Sequence, residues 1–109
     1  MTSAESIVIL CAVPEDFDTK GLAAVLLGGS LAACVQVTSS VTSLYRWKGA
    51  IETSAEKLLL IKTRQELFGK VEAAIRSRHP YDVPEIIALP VSAGHAPYLE
   101  WIAAETTPS

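Results

Sequence analysis

Two long strand-like arms joined at Lys48-Gly49-Ala50 constrain this chain more than any other feature. The first, Leu31 to Trp47, is rich in Val, Thr, Ser and aromatics, and the second returns from Ile51 to Thr63. A glycine in a short polar link between two such runs marks a hairpin. Alternation weakens at Ser39-Ser40, where a bend or bulge is expected. Ordinary strands have ~5–6 residues. An arm of about 14 residues at ~3.3 Å per residue spans roughly 46 Å, whereas a compact domain of ~100 residues has a radius of gyration of only ~13 Å. The tip must therefore project from the body, and a lone two-stranded ribbon is marginal in water. The returning arm also holds Leu58-Leu59-Leu60-Ile61. Neighbouring side chains on a strand point to opposite faces, so this run asks for burial on both. A second subunit is the expected cover.

The flanking segments define the plan. Ile7 to Val13 is a short strand ended by Pro14. Asp16 or Asp18 can cap the helix that follows, whose Leu22, Val25 and Leu26 fall on one face before Gly28-Gly29 stops it. Thr63-Arg64-Gln65-Glu66 has the form of a capping box opening a second helix, with Leu67, Phe68, Val71 and Ile75 on its apolar face. His79-Pro80 ends that helix, since a residue before proline avoids helical geometry. Val83 to Val91 forms the last strand, with Pro84 and Pro90 near its ends. Pro97 opens a short terminal helix expected to bury Tyr98, Trp101 and Ile102. Only the ends, Met1–Ser6 and about Thr106–Ser109, look loose. The order β-α-β-β-α-β plus a terminal helix is the ferredoxin-like plan, an α+β fold with an antiparallel sheet, in one domain over residues 1–109. Its two main helices cover one sheet face and leave the other bare, unless the terminal helix folds across it.

Composition narrows the function. Half of the 109 residues are hydrophobic and 19% are charged. So small a domain has trouble burying that much apolar surface alone, which leaves a membrane or a partner chain. No apolar run approaches the ~20 residues of a membrane span, and no basic segment precedes Ile7–Val13 as in a signal peptide. The expectation is a cytoplasmic oligomer without a membrane role. Net charge is −3, with Lys and Arg scattered, unlike the basic stripe of a nucleic-acid surface. Leu58–Ile61 also lacks the aromatics that stack bases. Cys11 and Cys34 form no CxxC pair and are expected as buried free thiols.

Groups able to carry chemistry fall in three places: Tyr45, Arg46, Trp47 and Lys48 at the hairpin tip; Lys62, Thr63 and Arg64; and the loop His79-Pro80-Tyr81-Asp82-Val83-Pro84-Glu85. Two prolines stiffen that loop, and rigid loops bearing such groups favour binding sites. The bland alternative is a helix stop whose Tyr81 packs on the core edge and whose Glu85 bonds a backbone amide or Lys62. Cys34 or Cys11 with His79 lacks the third group and oxyanion site of a nucleophilic centre, so no enzyme is expected. Thiolate with imidazole suits Cu or Zn better, but one of each leaves the coordination sphere to be completed by a second subunit, Glu85 or water. Cys34, Tyr45, Trp47, Lys62, Tyr81 and Glu85 are the candidate pocket. Lys62 and Arg64 beside aromatics also suggest a small anionic ligand or a protein partner in a cleft between subunits.

The segments Leu31-Ala32-Ala33-Cys34-Val35, Tyr45-x-Trp47-x-Gly49, Lys62-Thr63-Arg64, His79-Pro80-Tyr81-x-x-Pro84-Glu85 and Tyr98-Leu99-Glu100-Trp101 occur in this order across about Ile7 to Ala104. Together they resemble the CutA family of divalent-cation tolerance proteins. The resemblance implies a ferredoxin-like homotrimer similar to PII signalling proteins, cytoplasmic in bacteria and responsive to divalent metal ions, copper above all. It places Cu(II) or another divalent cation at Cys11 and His79, with no organic cofactor. Arg78 stands where a second histidine would be, and Ser39-Ser40 where Pro-Gly is frequent.

Overall fold

The computed structural model describes residues 5–107. Met1–Ala4 and Pro108-Ser109, part of the ends expected to be loose, lie outside them. The order is β1 (Ser6–Pro14), α1 (Thr19–Gly28), β2 (Cys34–Val37), β3 (Val41–Trp47), β4 (Ala50–Arg64), α2 (Phe68–Arg76), β5 (Ile86–Pro90) and α3 (Ala96–Glu105). The sheet runs β2-β4-β1-β5, with β3 pairing the outer half of β4. Every pairing is antiparallel. This is the ferredoxin-like α+β fold.

β1 and β4 pair over nine positions, from Ser6 opposite Arg64 to Pro14 opposite Glu56. Ile7, Ile9, Cys11 and Val13 of β1 and Leu59, Ile61 and Thr63 of β4 point to the same face. They form the core with Leu22 and Leu26 of α1 and Val71 and Ile75 of α2. The 15-residue β4 then continues past β1 as the returning arm of the ribbon. Its projection stretches the molecule to 49 Å against 27 and 23 Å in the other directions.

The bend foreseen at Ser39-Ser40 is a bulge that splits the first arm into β2 and β3. Val37 pairs with Leu59 and Val41 with Glu56, so Thr38, Ser39 and Ser40 stand opposite only Lys57 and Leu58. Thr38 closes the gap: its amide donates to the Leu58 carbonyl (3.0 Å) and its hydroxyl accepts from the Leu58 amide (3.0 Å). The extra residue reverses the parity of the arm. Cys34 and Gln36 of β2 therefore share a face with Ser43, Tyr45 and Trp47 of β3. At the tip the turn is two residues, not three, with Lys48 at φ 51° and Gly49 at φ 82°. That is the left-handed geometry of a tight hairpin.

Several expectations need correction. Thr63 does not cap α2, because the β1–β4 ladder extends through it to Arg64. Its side chain is buried, and its hydroxyl donates to the Leu31 carbonyl at 2.6 Å. The Glu66 carboxylate takes the Arg64 guanidinium instead. A 3-10 turn, Gln65–Leu67, leads into α2 without a side-chain cap. The last strand starts at Ile86, not Val83; Val83 is exposed in the preceding loop beside Pro84, which has no amide to donate. Cys34 is only half-buried. Neither end is loose throughout: Ser6 and Thr106 are buried, and Arg64 Nε and Nη2 donate to the Thr106 hydroxyl and carbonyl.

α3 lies against the second face of the sheet at the Lys62–Arg64 end, burying Ile102 but leaving Tyr98 and Trp101 exposed. On this face Leu58 and Leu60 remain half-buried, and Ile87 and Leu89 are exposed. The terminal helix thus covers this face in part.

Asp18 caps α1 through the Gly21 amide at 3.0 Å. The helix ends in a Schellman motif, with Leu31 N–H to Leu26 O at 2.9 Å and Ser30 N–H to Leu27 O at 3.1 Å. Ser30, rather than either glycine, takes the left-handed position at φ 56°. A side chain there costs roughly 1 kcal/mol. Ser30→Gly is expected to stabilise the fold by up to about 1 kcal/mol in urea denaturation.

Candidate functional site

Along the ribbon, alternate residues of each strand share a face. Ser43, Tyr45 and Trp47 of β3 therefore align with Glu52 and Glu56 of β4. The ribbon base abuts the 79–85 loop, and the two enclose a cleft of about 590 Å³. Its wall includes Tyr45, Trp47, Glu52, Glu56, Tyr81, Asp82 and Glu85, with no lysine or arginine in the lining. Glu56 is only 6% exposed. The Tyr81 hydroxyl donates to Glu56 Oε2 at 2.9 Å, tying loop to ribbon. Partial burial and the adjoining Glu56 carboxylate push the Tyr81 phenol up to about 12, so it stays a donor at neutral pH. The hydroxyls of Tyr45 and Ser54 share a hydrogen bond of 2.7 Å.

His79 anchors the loop at its other end. β5 pairs with β1 only as far as Ile86 opposite Cys11, so the edge of β1 beyond that point has no strand beside it. His79 Nε2 lies 2.8 Å from the carbonyl of the buried Ala12. A carbonyl only accepts, so the proton is on Nε2. The Tyr81 amide donates to Nδ1 at 3.2 Å, taking the remaining ring acceptor. The ring also packs against Tyr81, with centroids 4.7 Å apart, and faces Phe17 at 6.0 Å.

Cys11 approaches the same Ala12 carbonyl from within the core, Sγ to O at 3.9 Å. Burial, then the charges of Glu85 and Glu56, push its thiol up to about 12. The expected metal pair is thus close in space, but each member is otherwise engaged. Ligation by either nitrogen of His79 requires breaking a hydrogen bond, and Cys11 would have to ionise against burial and two carboxylates. Among the described residues, no three His, Cys, Asp or Glu side chains are grouped to hold a metal ion within this protomer.

Of the six candidate pocket residues, the structure brings together Tyr45, Trp47, Tyr81 and Glu85. Cys34 and Lys62 face each other across β2 and β4, six strand positions or roughly 20 Å from Glu56. There the Lys62 ammonium meets the Tyr98 hydroxyl at 3.4 Å. Arg64 is held by Thr106, the residue after α3. The cations that suggested an anionic ligand are therefore absent from the cleft lining. Glu52 and Glu56 were not among the candidates, although their spacing with Ser54 puts all three on one strand face.

A ferredoxin-like domain with a projecting ribbon and an acidic, aromatic-walled cleft at its base defines the structural class. The family model described as "CutA1 divalent ion tolerance protein" matches residues 7–105. A Thermus thermophilus divalent-cation tolerance protein CutA is 40% identical over 91% of this chain and 96% of its own length. The rice protein CutA 1, chloroplastic, is 42% identical over 99% of this chain, which spans 61% of that relative. The crystal structure of CutA1 from Oryza sativa superposes with a TM-score of 0.91 at 41% identity, covering both chains fully. The chain belongs to the CutA1 divalent ion tolerance family.

Two outcomes test the site. His79→Ala leaves the buried Ala12 carbonyl with only the weak, distant Cys11 thiol as donor and should cost about 1–3 kcal/mol in equilibrium unfolding. Cys11 should resist iodoacetamide at pH 8 in the folded protein and react once urea unfolds it.

Proposed function

We propose that this protein serves divalent-cation tolerance in the cytoplasm as a non-enzymatic homotrimer whose acidic clefts receive the cation. One observation carries this reading: Glu52, Glu56, Asp82 and Glu85 line a single cleft that contains no basic side chain. Carboxylate and phenol oxygens accept divalent ions broadly, and Cu(II) ranks highest among first-row ions at oxygen and nitrogen donors. Family membership supports the relation to divalent cations. Assembly is supported by the ribbon, whose Leu44 and Ile51 are 69% and 72% exposed, and by the half-covered second face of the sheet. A neighbouring subunit on these surfaces would border the cleft and supply further ligands.

Light scattering is expected to give three times the 11.6 kDa chain mass. Calorimetric titration with Cu(II) should show binding that Glu56→Gln weakens about tenfold and His79→Ala leaves nearly unchanged, given the strength of charge-assisted contacts. A loss confined to His79→Ala would return the site to the Cys11–His79 pair.

A further inference from the structure

The cleft holds more than carboxylates. Tyr45 and Trp47 form its wall on the ribbon side and Tyr81 on the loop side, with Leu44 and Val83 at the margins. A bare metal ion keeps a shell of oxygens and gains little from aromatic faces or aliphatic walls. An alkylammonium gains from both: its charge is drawn to the electron-rich ring faces and its methylenes pack against them. Trp47 already receives one such group, since the Lys48 ammonium stands 5.8 Å from its ring centroid.

Glu56 gives the cleft a fixed anionic point. It is nine-tenths buried, its Oε2 is occupied by Tyr81, and its Oε1 has no hydrogen-bond partner among the described residues. Hydrogen bonding thus fixes the carboxylate while leaving an acceptor free within the cleft lining. Glu52 lies four residues towards the tip on the same face, about 13 Å away by strand rise. Asp82 and Glu85 stand on the facing loop. Negative charge is therefore spread along an elongated, partly apolar slot.

We propose that the cleft is a binding site for a linear organic polyamine, whose separated ammonium groups meet the carboxylates while its methylenes lie along Tyr45, Trp47 and Tyr81. This inference rests on the reading of the cleft as a cation site and names a second class of cation for it. Divalent metal and polyamine then compete, so occupancy by one reports on the other.

The test uses the intact protein in its native assembly. Spermidine and hexaamminecobalt(III), equal in charge but one extended and organic, the other compact, are titrated by calorimetry at fixed ionic strength. Spermidine should bind more tightly, and Cu(II) should displace it. Trp47→Leu should weaken spermidine about tenfold without changing hexaamminecobalt(III), while Trp47→Phe, which keeps an aromatic face, retains most of the affinity. Glu56→Gln should weaken both, and Trp101→Leu neither. Equal affinity for the two trications, or indifference of spermidine to Trp47→Leu in a variant that keeps its assembly mass, overturns the polyamine site while leaving Cu(II) binding to be judged by its own titration. Loss of Cu(II) binding with spermidine retained overturns the metal reading alone.

Discussion

The β1–β4 pairing is the constraint on which the remaining architecture depends. Nine consecutive residue pairs fix β4 in register against the strand that supplies more of the core than any other element. Because β4 runs on without interruption into the ribbon, its alternation is set by that register. Leu59 and Ile61 must face the helices, so Leu58 and Leu60 face the other way. Following the same count outward, Glu56, Ser54 and Glu52 come to the second face. The acidic side of the cleft is thus a consequence of how the core is packed some 10–20 Å away.

The first arm meets this register through an irregularity. A tight turn at Lys48-Gly49 requires Trp47 to pair with Ala50, whereas β2 holds Cys34 opposite Lys62. The two registers differ by one residue, and the bulge at Thr38–Ser40 absorbs the difference. Ser40, at its end, donates a hydrogen bond to Glu15 in the loop after β1 at 2.9 Å, tying ribbon to body. His79 acts similarly on the opposite side of β1, satisfying a carbonyl beyond the reach of β5. Both attachments hold the ribbon and the loop close enough for Tyr81 to reach Glu56.

Most of the fold was legible because its signals are local. Pro14, Asp18, Gly28-Gly29 and Pro80 punctuate the elements, and the hairpin, its glycine and its bend all stand in the sequence. The capping box at Thr63 misled because a local motif competed with a non-local ladder, and nothing within four residues of Thr63 records that β1 pairs through Arg64. Tyr98 and Trp101 misled differently. They have core-like side chains, but α3 docks through Ile102 and Thr106 and leaves the two aromatics exposed, their ring centroids 5.5 Å apart. The site was half legible. Its loop is continuous in sequence, so Tyr81 and Glu85 stood out. Glu52 and Glu56 resembled ordinary solvated charges until the register turned them towards that loop.

Placement also decides the sign of the ligand. Lys62 and Arg64 lie on the same strand as Glu52 and Glu56, and by sequence alone the cations and anions of β4 could serve one site. Strand rise separates them by roughly 20 Å, about two Debye lengths at physiological salt. The lysine and arginine therefore contribute little to the field in the cleft, and each has a nearby partner, Tyr98 in α3 for Lys62 and Thr106 just after it for Arg64. What remains at the ribbon base is negative charge beside aromatic faces. An anion entering there would meet the buried Glu56 carboxylate together with Glu52, Asp82 and Glu85, with no cation in the lining to offset them. A cation would meet complementary charge without first having to displace a basic side chain of the cleft lining.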